Sequence, residues 1–158
     1  MSLPVADIPS GPHAHRRRTR ARRRALQALY QWELTGHEAG AIERQFLEEY
    51  RLGRMELDYF TELLHEVIAR VEELDAAYDR YLDRPAATLD PVEKAILRLG
   101  TYELMARMEV PYRVVIDEAV ELAKSFGAEQ SHRYINGVLD RVGRDQPLRA
   151  AELGRRRR

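Results

Sequence analysis

No cysteine occurs in the 158 residues. That absence removes disulfides, thiolate metal sites and cysteine nucleophiles, and it suits the reducing cytoplasm in which we expect the protein to work. No run of about 18 apolar residues is present, so no membrane-spanning helix and no membrane partner are expected. Met1 to Gly11 lack the basic-then-apolar pattern of a secretory signal. Sustained alternation with a period of two is missing, and no strand is predicted. Repeats with a period of roughly 20 to 50 residues are missing as well. So are the catalytic signatures. No G-x-x-x-x-G-K-S/T loop or G-x-G-x-x-G turn offers a phosphate cradle, and His65-Glu66 fails as H-E-x-x-H because position 69 is Ala69. His13 and His15 sit in a stretch expected to be an untidy tail. Asp117 and Glu118 have no nucleophile or base beside them in sequence. We expect no enzyme, no cofactor and no metal.

What the chain does have is charge, unevenly placed. Its formal net charge is zero, yet residues 1–24 and 141–158 together carry +11 while residues 25–140 carry −11. Basic ends on an acidic body fit a polyanion held at one edge, because phosphate contacts supply most non-specific affinity. Solubilising tails are the plain alternative. The densest run is Arg16, Arg17, Arg18, Arg20, Arg22, Arg23 and Arg24. Arginine presents a planar, permanently charged fork that matches phosphate and stacks on bases. On a helix, Arg16, Arg20 and Arg23 or Arg24 fall near one face, with Arg18 and Arg22 on another. Such crowding repels itself, and the stretch is expected to order fully only when phosphates neutralise it.

At 44% hydrophobic, the chain can bury a core. The pattern predicts an all-α, compact bundle of about seven helices in two packed sub-bundles. Residues 1–15, with Pro4, Pro9, Gly11 and Pro12, read as a disordered leader. A helix follows from Thr19, carrying Leu26, Leu29, Tyr30 and Leu34 and stopping at Gly36. A shorter one around Ile42 and Phe46 closes at Gly53. Phe60, Leu63, Leu64, Val67, Val71 and Leu74 form one stripe of a long helix from about Met55, and Asp75 to Leu82 adds a further piece. The break at Arg84–Thr88 divides the sub-bundles, about 16–83 and 89–142. Asp90-Pro91-Val92-Glu93 predicts a capping box opening the next helix. The helix from Tyr112 to Phe126 is apolar on more than one face and is expected to be the central one. The last helix starts near Ser131, and 143–158 reads as a basic tail. Arg133 and Tyr134 at that helix start offer a charge and a flat ring together, suited to phosphate and to an unpaired base.

Three segments carry a resemblance. Ala25-Leu26-Gln27-Ala28-Leu29-Tyr30-Gln31-Trp32-Glu33-Leu34, the Val92–Arg98 helix followed by Tyr102-Glu103-Leu104, and Asp117–Lys124 followed by Asn136-Gly137-Val138-Leu139 resemble the NusB family in order and spacing, across about residues 16–142. Val110-Pro111-Tyr112 is the most telling part. The resemblance implies an RNA-binding antitermination factor that pairs with the ribosomal protein NusE, binds single-stranded boxA RNA of nascent ribosomal transcripts, and joins RNA polymerase and other Nus factors to pass terminators. It assigns RNA contacts to Arg16, Arg17, Arg18, Arg20, Arg22 and Arg24, then Gln27 and Tyr30 further along, with Arg133 and Tyr134 as a second patch. Glu93 is its candidate for the NusE side, although the capping box explains Glu93 equally well. The resemblance also admits a homodimer that would cover the RNA face. A helical protein–protein module that binds no specific RNA is the competing reading. The departures are the long leader, Tyr134 where phenylalanine is common, and the Arg155–Arg158 end.

Overall fold

The computed structural model describes residues 12–156, which form eight α-helices and, among the described residues, no strand. Helix α1 spans Pro12–Thr35, α2 Ala39–Glu49, α3 Arg54–Ala69, α4 Val71–Asp79, α5 Pro91–Ala106, α6 Tyr112–Phe126, α7 Ser131–Arg144 and α8 Ala150–Arg156. Short 3-10 turns at Ala86–Thr88 and Pro147–Arg149 precede α5 and α8. The all-α expectation holds. Residues 1–11 of the expected leader lie outside the described residues. Residues 12–15 are already helical, so α1 starts well before its apolar stripe. The early start has a partner, because His15 lies 3.4 Å from Glu118 on α6.

Local chemistry sets several of the boundaries. Gly36 ends α1 with φ +71°, a left-handed conformation cheap for glycine, and its N–H donates to the Trp32 carbonyl at 2.9 Å. The predicted capping box is present: the Glu93 N–H donates to Asp90 Oδ1 at 2.8 Å, and the Asp90 N–H donates to Glu93 Oε1 at 3.3 Å. The long helix predicted from Met55 through Leu74 is instead two, broken at Arg70 (φ −109°, ψ 19°). No glycine or proline marks that break. The turn swings α4 across α5, where Arg98 makes a paired contact with Asp75 at 2.9 Å through each of two nitrogens. Packing, a non-local cause, decides it.

Helix α5, and not α6, is the centre. Every residue from Ala95 to Leu104 is buried, and α5 packs against α1, α3, α4, α6 and α7. Helix α6 keeps Arg113, Asp117, Glu121 and Lys124 in solvent. Helices α5 and α7 approach so closely at Gly100 that an added Cβ would sit 2.6 Å from Leu139. One hydrophobic core runs through both halves, from Ala21 on α1 to Val142 on α7, with α1 lying against both α3 and α5.

The basic tail reading needs the largest correction. Arg149 is 0% exposed. Its guanidinium donates to the carbonyls of Glu103 (2.9 Å), Leu104 (3.1 Å), Arg107 (2.9 Å) and Val110 (2.6 Å). These carbonyls lie at and just beyond the C-terminus of α5, where a cation also complements the helix dipole; those of Glu103 and Arg107 accept the backbone N–H of Arg107 and of Val110 as well. Its neighbour Glu152 pairs with it at 3.0 Å and accepts the Tyr112 N–H, an orphan donor at the start of α6, at 2.7 Å. One ion pair thus caps two helix ends at the α5–α6 corner. Arg149→Ala should therefore destabilise the protein by about 3 kcal/mol or more, since each stranded buried acceptor costs about 1–3 kcal/mol. Urea denaturation reads this, and Arg149→Lys should recover only part, because an ammonium cannot span four carbonyls. Wild-type stability in Arg149→Ala would refute the clasp.

Candidate nucleic-acid interface

Helix α1 separates its arginines by depth. Its buried stripe is Ala21, Ala25, Leu26, Ala28 and Leu29, and Arg22 falls in the middle of it, only 2% exposed. Arg22 makes a forked contact with Glu103 of α5, 2.8 Å from Nε to Oε1 and 2.8 Å from Nη2 to Oε2. Glu118 of α6 lies 3.2 Å from Nη1, and the Tyr59 hydroxyl of α3 donates to Glu103. Burial alone would lower the Arg22 pKa, but attraction to Glu103 and its hydrogen bonds outweigh that and hold the charge more firmly than usual. Burial, then the Glu103 charge, push the Tyr59 phenol well above its ordinary value, so it remains a donor. Arg22 was expected at the RNA surface. Here its guanidinium is enclosed, and its role is to lock the rotation of α1.

That rotation turns the other arginines outward. Arg16, Arg20 and Arg23 are exposed at spacings of four and three, and the same stripe continues through half-buried Gln27 to Tyr30, which is 40% exposed. Arg17 is exposed beside it, within 2.7 Å of the Met55 sulfur. Each flank has partners that ease the crowding. Arg20 pairs with Glu56 at 3.2 Å. Arg18 lies 5.9 Å from the Tyr59 ring, Arg23 5.4 Å from Phe126 and Arg24 3.9 Å from Tyr50. Arg24 also donates to Gln27 at 2.9 Å. At its far end α1 is held by Glu33, which accepts from Arg98 at 2.7 Å and Lys94 at 3.3 Å; the Arg98 hydrogen bond keeps that carboxyl below its usual range. The helix is therefore formed without phosphates, contrary to the ordering-on-binding expectation, because protein carboxylates and rings take over the neutralising role.

Of the second patch, Arg133 is exposed and Tyr134 is half-buried. Tyr134 packs on the core, and its ring carries the Arg84 guanidinium at 4.3 Å. Arg84 in turn pairs with Glu93 at 3.0 Å. Arg84 was missed from sequence because it lies about fifty residues away, in the inter-helix break. Tyr134, Arg84, Asp90 and Glu93 line an open cleft of about 530 Å³ at the α7 start. Glu93, expected to touch a partner, is buried beneath Arg84 and engaged in the capping box. The route between the two patches passes the end of α6, where Arg23 lies over Phe126, one residue before the Gly127 turn into α7. The side chains of Arg155–Arg158 lie outside the described residues. Among the described residues no cluster of histidine and carboxylates could hold a metal, and no helix is long and apolar enough to cross a membrane.

Known proteins share the sequence and the fold of this chain. The NusB family profile matches residues 19–144. The transcription antitermination protein NusB of Halorhodospira halophila is 59% identical over 142 residues, covering 90% of this chain and 91% of that protein. That of Alkalilimnicola ehrlichii is 51% identical, covering 96% and 95%. Among solved structures, T. maritima NusB superposes with a TM-score of 0.74 at 28% identity, covering 87% of this chain and 94% of that one. NusB from a complex of antitermination factors NusB and NusE with dsRNA gives 0.75 at 28%, covering 82% and 97%. The chain belongs to the NusB family of transcription antitermination factors, which are not enzymes.

Two arginines only two residues apart should consequently differ in their cost. Arg22→Ala strands Glu103 in the core and should cost about 3–5 kcal/mol of stability. Arg20→Ala removes an exposed guanidinium and one hydrogen bond to the buried Glu56, and should cost less, about 1–2 kcal/mol. Comparable losses in chemical denaturation would contradict the assignment of Arg22 to the core.

Proposed function

We propose that this NusB-family chain binds single-stranded boxA-type RNA of nascent ribosomal transcripts together with NusE, and so helps RNA polymerase, with other Nus factors, read through terminators in the cytoplasm. The observation that carries the reading is the stripe Arg16–Arg20–Arg23–Gln27–Tyr30 on one outward face of a helix already locked in place. From Arg16 to Tyr30 the stripe is about 21 Å long at 1.5 Å per residue. Its basic end attracts and tracks phosphates; its amide and phenol end offers hydrogen bonds and a ring to bases. Arg17, Arg18 and Arg24 flank it as further charge. Arg22 acts indirectly, as a positioning residue.

Arg133 and Tyr134 form the second contact. A base can stack on Tyr134 only by displacing the Arg84 guanidinium, exchanging a cation–π contact of about 0.5–1 kcal/mol for stacking of about 1–3 kcal/mol. The net gain is small, which suits base choice better than raw affinity. Displaced Arg84 remains beside the strand as another phosphate ligand. The region of Asp90, Glu93 and Arg84 is the part of the C-terminal half that we assign to NusE. The relative solved with NusE and dsRNA supports the pairing of these partners. A homodimer covering the α1 stripe would compete with RNA.

Fluorescence anisotropy with boxA-type RNA tests the reading. Weak binding alone and much tighter binding with NusE are expected. Replacing Arg16, Arg20 and Arg23 by alanine should lower the log–log salt slope by about 2, at roughly 0.7 per phosphate contact, and should weaken boxA and scrambled RNA alike. Tyr134→Ala should in addition erode the preference for boxA. No binding at low salt would favour the protein-only module, and an affinity indifferent to NusE would end the composite-surface reading.

A further inference from the structure

Helix α7 contains a residue that neither its local conformation nor its packing explains. Gly137 sits in the interior of the fourteen-residue helix Ser131–Arg144 and is exposed. Its φ is not in the left-handed region, and nothing lies within 4 Å of where a Cβ would be. Gly100 and Gly143 in the same bundle are crowded by Leu139 and by the Tyr112 ring; Gly137 meets only solvent. Glycine is the poorest helix former after proline, so the missing side chain weakens α7 with no gain inside the molecule. Around this bare spot stand exposed Arg133 one turn before, Asn136 beside it, and exposed Arg141 one turn after. Neither Arg133 nor Arg141 has an ion-pair partner among the described residues. Arg144, one turn further on, is tied to Asp140 at 2.8 Å.

We propose that the outer face of α7, centred on Gly137, is a track for the RNA sugar–phosphate backbone continuing away from the Arg133–Tyr134 contact; this rests on the RNA-binding reading above and extends its surface. A glycine lets a bulky ligand approach the helix backbone closely, and the guanidinia before and behind it hold successive phosphates. From Arg133 to Arg144 the face is about 16 Å long, room for about four or five nucleotides of a stacked strand at 3.4 Å each. RNA fits this face better than a protein does. None of the exposed large hydrophobic side chains, Tyr30, Leu34, Leu47 and Leu148, lies on α7, and a protein interface needs such anchors.

The test uses the full chain with NusE and two RNAs, a short boxA-type oligonucleotide and the same sequence extended by about five nucleotides at each end. Gly137→Gln should raise the melting temperature, because glutamine favours helix, and yet weaken the extended RNA about tenfold while sparing the short one. A stabilising substitution that lowers affinity cannot be a folding defect. The double variant Arg141→Ala/Arg144→Ala should lower the salt slope for the extended RNA by about 1.4. If both variants bind the extended RNA like wild type while Arg20→Ala weakens it, the track is wrong and the α1 interface stands. Loss of NusE capture by Gly137→Gln with unchanged RNA binding makes α7 a protein surface and overturns the proposal. Absence of RNA binding by the wild-type chain at low salt removes both readings.

Discussion

The structure turns on one buried ion pair. Arg22 and Glu103 are each 2% exposed and meet through two hydrogen bonds of 2.8 Å. Removing two charges from water is costly, and a buried pair is often no more stabilising than apolar residues of the same size. Its effect is better sought in geometry. A leucine at position 22 would tolerate several rotations of α1 against α5, whereas a forked guanidinium tolerates one. Glu103 also receives the Tyr59 hydroxyl from α3 through its carboxylate, and Arg149 from the C-terminal segment through its carbonyl. Four parts of the chain distant in sequence are thereby tied at one residue, and the outward aim of Arg16, Arg20 and Arg23 follows from it.

A cluster of seven arginines in nine positions creates its own difficulty, since like charges on one helix repel. The fold answers by surrounding α1 with acceptors chosen by depth. A carboxylate pair, Glu103 and Glu118, takes the innermost arginine, Glu56 takes one at the edge, and aromatic faces take Arg18, Arg23 and Arg24. Rings moderate charge without cancelling it, so the outer guanidinia keep their attraction for phosphate. This also accounts for the zero net charge: much of the acidity of the body serves the basic end.

What was legible in the sequence was local. The Asp90–Glu93 capping box needs residues three apart, and the Gly36 stop needs one residue; both formed as read. The hydrophobic periodicity gave the helices themselves. Arg22 was legible in principle, because it shares a stripe with Ala25, Leu26 and Leu29, but a charge on an apolar stripe reads as surface until its partner is known. That partner is 81 residues away. Arg149 was hidden the same way: four of its five partners are backbone carbonyls, which no sequence pattern marks. The α3–α4 break lacks any glycine or proline and follows from the seating of α4 on α5. The misjudged central helix has a related cause. Helix α5 carries Arg98, Thr101 and Glu103 inside, and buried polar residues make an enclosed helix look amphipathic.

Helix α5 then links the two patches that we propose as one RNA surface. It is the axle of the bundle, and each end is held by an arginine on a carboxylate: Arg84 on Glu93 at the start, Arg149 with Glu152 at the finish. The two arginines differ in enclosure. Arg149 is sealed and holds four carbonyls and a carboxylate at once, so it must stay. Arg84 is exposed, and it covers a ring, so it can leave when something flat replaces it. The finish of α5 lies beside the Arg22 lock, which must be rigid to aim α1; the start lies beside Tyr134, where the base of our proposal would need a place that can be vacated. Rigidity at one end and exchange at the other is the division that the proposed composite RNA surface requires, in which a fixed helix would hold phosphates and a movable cation would admit bases.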